Sequence, residues 1–396
     1  MISVAQALQL VLQHKISPQT EEVELLQSLG RTLAQDVTAD RDFPPFHRVT
    51  MDGIAVRASD FVAGIRAFPI EEIHAAGSPQ KTLHHPGHCL EVMTGAVLPQ
   101  GTDAVVPYEE CTMHENVATV LAEKVRAGQN IHPQGSDKKA GEVLLTSGVK
   151  ITPAILGTLA SVGYAQVPVF QLPSVAICST GDELVEVQQQ PLPHQIRRSN
   201  AYMLAGALQQ ENIQASLFHL PDEPAIMQKR LAKILEAHDV LLLSGGVSKG
   251  KFDFLPQVLE ELGFTPVFHK IAQKPGKPML FGTLPEQKVV FGLPGNPVST
   301  FVCYQLFFRP WLHASLHQDH QPASAQLTQT LTFKPALTYH VPVKLHQDQG
   351  ILKATPIPTT GSGDLTSILE ADGLLSLPPE QENFAAGEAF PLTLFT

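Results

Sequence analysis

Between Ser174 and His317 short apolar runs alternate with stretches of helical period, and this alternation restricts the chain more than any other feature. "SVAIC", "ASLFHL" and the run Val240–Leu243 are strand-like, and each leads into a helical pattern. A run as apolar as "VLLL" suits a strand buried on both faces, and repeated βα units imply a mostly parallel sheet covered on both sides. Ligands of such sheets sit at the carboxyl ends of the strands, which is where glycines and acids concentrate here. "STGDEL" (Ser179, Thr180, Gly181, Asp182, Glu183) follows one strand directly, and Asp222 follows another. Ser244, Gly245, Gly246 and Ser248 follow the third, with Asp253 just beyond. Glycines remove Cβ atoms and let the backbone and its N–H groups approach a ligand.

Glu183, Asp222 and Asp253 at neighbouring strand ends suit Mg²⁺ completed by phosphate oxygens, although each acid equally suits a helix start. In "KIAQKPGKP", Lys270, Lys274 and Lys277 flank a Pro275-Gly276 turn that cannot continue a helix, so they read as an oxyanion-holding cluster or as a solvated basic loop. "LPGNPVS" places Pro294, Gly295 and Asn296 before a helix that starts with Pro297, and Asn296 is its expected cap. The spacing predicts one helix over "NPVSTFVCYQLFF", a helix started by Asn200, and Asp222 as the cap of "EPAIMQKRLAKILEA". Asp52-Gly53 and Thr94-Gly95 read as turns.

Outside this region the pattern changes. Ser3 and Gln6 form a capping box for an amphipathic helix. Residues 1–40 with 139–172 read as a helical part, 41–138 as an inserted β-rich domain, 173–321 as the α/β domain and 322–396 as a C-terminal β-barrel. The net charge of −11 argues against nucleic acid or anionic membranes as partners. No apolar stretch reaches the ~18 residues of a membrane span, and the start lacks a basic leader. Four scattered cysteines without a Cys-x-x-Cys fit a cytoplasmic protein with free thiols. The 17 histidines include no His-Glu-x-x-His, and "HQDH" reads as a solvated loop rather than a zinc site.

"TMDGIAVR", "TGAVLPQGTDAVV", "STGDEL", "QIRRSN", "SGGVSKGKFDF", "KPGKP" and "LPGNPVS" occur in this order. As a set they resemble the molybdopterin molybdenumtransferase family, MoeA in bacteria and the gephyrin E domain in animals. The resemblance implies a cytoplasmic, four-part homodimer built around a molybdopterin-binding-like α/β domain. It implies an enzyme that inserts molybdate into adenylylated molybdopterin with release of AMP, aided by Mg²⁺. Molybdopterin adenylyltransferase and cofactor-accepting enzymes are the protein partners it suggests. Carried over residue by residue, Glu183, Asp222 and Asp253 are the acidic metal site. Lys274 and Lys277, with Pro294 and Pro297, shape the molybdate pocket, Lys270 adds positive potential, and Ser362 approaches the anion from the barrel. Asp52, Thr94 and Asp137 match functional positions that in a dimer face the other subunit. Four positions depart from the family pattern: Arg198 stands for an acid, Lys249 for an apolar residue, His132 for an arginine, and Pro342 for a barrel arginine, with Lys344 two residues on. Two rival readings are the adenylyltransferase step, whose enzyme resembles the middle domain alone, and a non-catalytic scaffold.

Overall fold

A computed structural model describes residues 1–246, 254–318 and 322–395. It comprises two compact units. The first contains Met1–Ala34, Gly148–Leu156 and Gln166–Thr396, the second Gln35–Ser147 and Gly157–Ala165.

At the centre of the first unit lies a six-stranded sheet. Its order is Ser216–Leu220, Val175–Thr180, Val240–Ser244, Val289–Leu293, Leu280–Thr283 and Thr265–His269. The first four strands are parallel, Leu280–Thr283 pairs antiparallel on both sides, and Thr265–His269 returns to the common direction, so the sheet is mostly parallel, as the alternation predicts. Successive side chains of a strand face opposite sides, and the cores divide accordingly. Val175, Ile177, Val240 and Leu242 enter one core, while Ala176, Cys178, Leu241 and Leu243 enter the other. Register then fixes the ligand edge: Thr180 is opposite Leu220, Ser179 opposite Ser244, and Ser244 opposite Leu293. Three loops that are far apart in sequence therefore leave the sheet side by side.

The helix Val4–Gln13 has the expected capping box, Ser3 Oγ accepting from the Gln6 N–H and Gln6 Oε1 from the Ser3 N–H. Its Ala7 and Val11 join the α/β core. Beside it, Thr20–Glu24 pairs antiparallel with Gln166–Phe170, a ribbon that the helical period did not announce. The expected single helix after Asn296 is three pieces: Pro297–Cys303, a π-helical turn Tyr304–Phe308, and Arg309–Ser315. A π-helical turn adds one residue to the helix and re-aims the piece C-terminal to it.

The C-terminal strands close into a five-stranded barrel. Thr338–Asp348 pairs with Ile351–Pro356 and Gly373–Leu377, Ala323–Leu327 pairs with Ile351–Pro356 and Ala389–Leu394, and Gly373–Leu377 pairs with Ala389–Leu394. Val341, Val343, Ala354, Leu375 and Phe390 fill it. The short strand Gln273–Lys274 from the α/β domain adds to the barrel strand Thr338–Asp348, with Lys274 opposite Tyr339.

In the second unit a six-stranded sheet runs Ala104–Pro107, Gly53–Val56, Cys89–Val92, Ala67–His74, Val117–Val120 and Cys111–His114. Gly53 begins a strand rather than serving as a turn. A Cβ there would lie 2.0 Å from the Val106 carbonyl oxygen, so close packing, not a left-handed backbone, demands glycine. No helix among the described residues is long and apolar enough to cross a membrane.

Candidate functional site

The strand-end loops of the first unit line a cleft of about 800 Å³. Ser179, Thr180, Gly181 and Glu183 form one wall, Ser244, Gly245 and Gly246 the floor, and Pro294, Gly295, Asn296 and Pro297 the far side. Asp222 also lines it. Gly245 and Gly246 have φ of 96° and 69°, and a Cβ on either would come within 3.0 Å of Thr180 Oγ1. These glycines therefore let one loop close on another. Two buried polar atoms here, Thr180 Oγ1 and Asn200 Oδ1, lack a partner among the described residues. A buried hydroxyl or amide without a partner costs free energy, so the cleft is built to receive polar atoms.

Asn200 does not cap its helix, which begins at Ser199. Its Nδ2 donates to Ser244 Oγ (2.9 Å), the Gly295 carbonyl (2.7 Å) and Thr300 Oγ1 (3.2 Å), tying two of the loops together. Asp222 likewise is no cap. The next helix has Glu223 at the cap position without a side-chain bond, and the Asp222 N–H donates to Asp182 Oδ1 at 3.3 Å. Asp182 thus positions the Asp222 loop rather than lining the cleft. Arg198 does line it, 6% exposed, and its Nη1 meets Glu186 Oε1 at 2.6 Å. The departure from the family's acid therefore places a cation in the wall and an acid, Glu186, behind it.

A second hollow of about 590 Å³ adjoins the first and shares Pro278, Pro294, Gly295 and Asn296 with it. Lys274, Gly276 and Lys277 form one side, and barrel residues Tyr339, His340, Pro342 and Ser362 the other. Gly276 has φ 91°, and a Cβ would lie 2.6 Å from Cys303 Sγ, so the turn carrying both lysines admits only glycine. Among the described residues neither Lys274 nor Lys277 has an acidic partner. Two uncompensated cations in a concave wall favour an anion. Lys270, with φ 80°, lines neither hollow.

Asn296 holds the expected cap position but makes no cap bond. Its Nδ2 reaches Ser362 Oγ of the barrel at 2.7 Å. The first α-helical piece it precedes, Pro297–Cys303, runs on into the π-helical turn. Pro342 lines the hollow, whereas Lys344 is turned to Asp372 (2.8 Å) and does not replace an arginine there. His340 is one residue that sequence reasoning missed. It is 1% exposed, its Nδ1 meets Ser376 Oγ at 2.9 Å, and its Nε2 has no partner among the described residues. Burial pushes its imidazole down to about 3, so the ring facing the lysines is neutral. Alternation along "HVPV" could have placed it beside Pro342; nothing in the sequence could have placed it beside Lys277.

In the second unit, Asp52 Oδ1 accepts from the Thr94 N–H (2.6 Å) and Oγ1 (2.7 Å). The backbone bond first, then the hydroxyl, holds this carboxyl below its usual range. Asp137 Oδ1 meets His132 Nε2 at 2.8 Å, and His132 Nδ1 meets Arg48 Nη2 at 3.0 Å. His132 thus links an acid to a neighbouring arginine. Ser248, Lys249 and Asp253 lie outside the described residues, as does part of "HQDH".

Hard oxygen donors suit Mg²⁺, which binds through one or two carboxylates plus substrate phosphates. Glu183 and Asp222 supply that donor set in the cleft that Thr180 also lines. The residues present therefore fit the ion.

The site thus combines a mostly parallel α/β sheet, glycine loops at its strand ends, and a lysine-lined hollow shared with the barrel. Family models divide the chain in the same sense. Residues 2–163 match "MoeA N-terminal region (domain I and II)", 176–314 "Probable molybdopterin binding domain", and 324–395 "MoeA C-terminal region (domain IV)". The molybdopterin molybdenumtransferase of Synechocystis sp. is 44% identical over 395 residues, covering 99% of both chains. That of Bacillus subtilis is 36% identical over 408 residues, covering 99% of this chain and 94% of its own. The crystal structure of the molybdopterin biosynthesis MoeA protein of Pyrococcus horikoshii superposes with a TM-score of 0.84 at 30% identity, covering 100% of both chains. The chain belongs to the molybdopterin molybdenumtransferase (MoeA) family.

Proposed function

We propose that this chain inserts molybdate into adenylylated molybdopterin and releases AMP. The observation that carries the reading is the shared wall of the two hollows. One offers glycine loops, hydroxyls and carboxylates to a phosphate-linked substrate, and the other offers an oxyanion two lysines that have no acidic partner among the described residues. Thr180, Ser244 and the Gly245-Gly246 turn hold the pyrophosphate link. Lys274 and Lys277, with Ser362, hold molybdate. Glu183 and Asp222, joined by Asp253 on its sequence position, would hold Mg²⁺, whose charge neutralises the phosphoryl oxygens. An acid of the same wall orients the water that breaks the phosphoanhydride bond, so AMP departs and the pterin keeps its terminal phosphate; the two dithiolene sulfurs then bond molybdenum in place of one molybdate oxygen, which leaves as water with the two thiol protons. Catalysis is then chiefly positioning and fixed charge. In a homodimer, Asp52, Thr94 and Asp137 of a second copy complete the site.

The test supplies adenylylated molybdopterin, molybdate and Mg²⁺ and measures AMP. Asp222→Asn and Lys277→Ala should each lower AMP release about 10²-fold, the scale of losing one fixed electrostatic contact, while circular dichroism stays unchanged. AMP release by Asp222→Asn at the unaltered rate, or consumption of ATP in place of the adenylylated pterin, would overturn the proposal.

A further inference from the structure

The β sheet of the second unit holds a cluster that the proposed reaction does not use. Glu71, on the strand Ala67–His74, faces His85 and His88 on the loop before the strand Cys89–Val92. Glu71 Oε1 lies 2.9 Å from His85 Nδ1 and 3.6 Å from His88 Nδ1, and the three ligand atoms all lie within 4.8 Å of one another. A tetrahedral zinc ion with bonds of about 2.0–2.1 Å sets its ligand atoms about 3.3 Å apart. The two measured separations bracket that value. We propose that Glu71, His85 and His88 form a binding site for a borderline first-row dication of the Zn²⁺ class.

Three features of the cluster favour a ligand set over a surface ion pair. First, the carboxylate is held from behind. The His84 N–H donates to Glu71 Oε2 at 3.0 Å and the His85 N–H to Oε1 at 2.7 Å. Outer bonds of this kind fix the orientation of a ligating carboxylate.

Second, both imidazoles present the same nitrogen, Nδ1, to the same oxygen, with ring centroids 5.1 Å apart. In the bound state each ring carries its proton on Nε2 and turns the Nδ1 lone pair to the metal. Imidazole nitrogen suits zinc, copper and nickel, whereas Mg²⁺ prefers oxygen.

Third, burial is graded. The Glu71 side chain is 11% exposed, His88 35% and His85 69%. The buried ligand is preset and the exposed one can swing in to close the site, leaving the fourth position to water. Bound metal would tie the strand Ala67–His74 to the loop 84–88. The donors are two nitrogens and one carboxylate, and they lie apart from the acids and lysines of the α/β domain in both sequence and ligand type.

The test titrates the full-length protein with Zn²⁺ against a chromophoric chelator, with excess Mg²⁺ present to occupy all-oxygen sites. One site per chain is expected. His88→Ala should weaken it at least about 100-fold, because changes to outer-shell partners alone cost 10–100-fold. His114→Ala, an exposed histidine of the same sheet, should leave it unchanged. Equal affinity in His88→Ala, or equal loss in His114→Ala, would overturn the site. If His88→Ala unfolds, electron paramagnetic resonance of Cu²⁺ on the unaltered protein decides. Superhyperfine coupling to two imidazole nitrogens supports the proposal, and its absence refutes it.

Discussion

Replacing Glu211 by glutamine removes one negative charge from the joint between the α/β domain and the barrel. Glu211 is 8% exposed, and Lys150 Nζ (3.3 Å), Arg309 Nε (3.0 Å) and His313 Nε2 (3.1 Å) surround its carboxylate. Arg309 also donates through Nη1 to the Leu394 carbonyl, on the last strand of the barrel, at 2.9 Å. Burial acts to raise the Glu211 carboxyl, but His313, Lys150 and Arg309 outweigh it and bring it from 4.5 to about 2. At about 1.4 kcal/mol per pH unit, that gap corresponds to about 3 kcal/mol of stability at neutral pH. This lies at the low end of the ~3–5 kcal/mol typical of breaking a buried ion pair. Because the folded value lies below the unfolded one, the contribution is full above about pH 4.5 and is lost as the pH falls toward 2. The single tryptophan, Trp311, is buried in the same helix as Arg309 and His313, so its fluorescence reports unfolding of this unit alone. Urea unfolding followed at Trp311 should show Glu211→Gln destabilised by about 3 kcal/mol at pH 7, with the difference shrinking as the pH drops below 4.5. A difference under about 0.5 kcal/mol at pH 7, the range of ordinary surface substitutions, would refute the reasoning. So would a difference that stays constant with pH.

Gly276→Ala should cost about 1–3 kcal/mol from its left-handed backbone alone, with the Cys303 contact added. It should also weaken oxyanion binding, measured by molybdate titration calorimetry, because the turn carries both lysines. Asn296→Ala and Ser362→Ala each remove the one bond between them, so each should cost about 1 kcal/mol. In a double-mutant cycle the second change should then cost almost nothing. His340 stays neutral to about pH 3 when folded but takes a proton near 6.5 when unfolded. Stability should therefore decline as the pH falls from 6.5 toward 3, and thermal melts at pH 7 and 5 should show a smaller decline for His340→Leu.

Much of the α/β domain was legible in the sequence because its signals are local. Apolar runs such as "VLLL" mark doubly buried strands, and glycines after them mark loops that must approach something closely. Seven motifs in order carried the family. The caps were less legible. Asn200, Asp222 and Asn296 have side chains suited to capping, yet the Asn200 amide bonds Ser244 and Gly295, the Asn296 amide bonds Ser362, and Asp222 is tied to Asp182 through its backbone N–H. A cap bond is worth about 1 kcal/mol, little enough for a bond across the fold to replace it.

By itself, then, the sequence determined which residue types stand at each strand end, since burial period and glycine requirement act over a few residues. Only the tertiary structure decided which of those ends meet. Strand order places Ser179, Ser244 and Leu293 side by side, and barrel closure sets Ser362 and His340 opposite Lys277. Those meetings depend on hydrogen-bond register and core packing between segments up to about a hundred residues apart, and no local pattern of side chains encodes them.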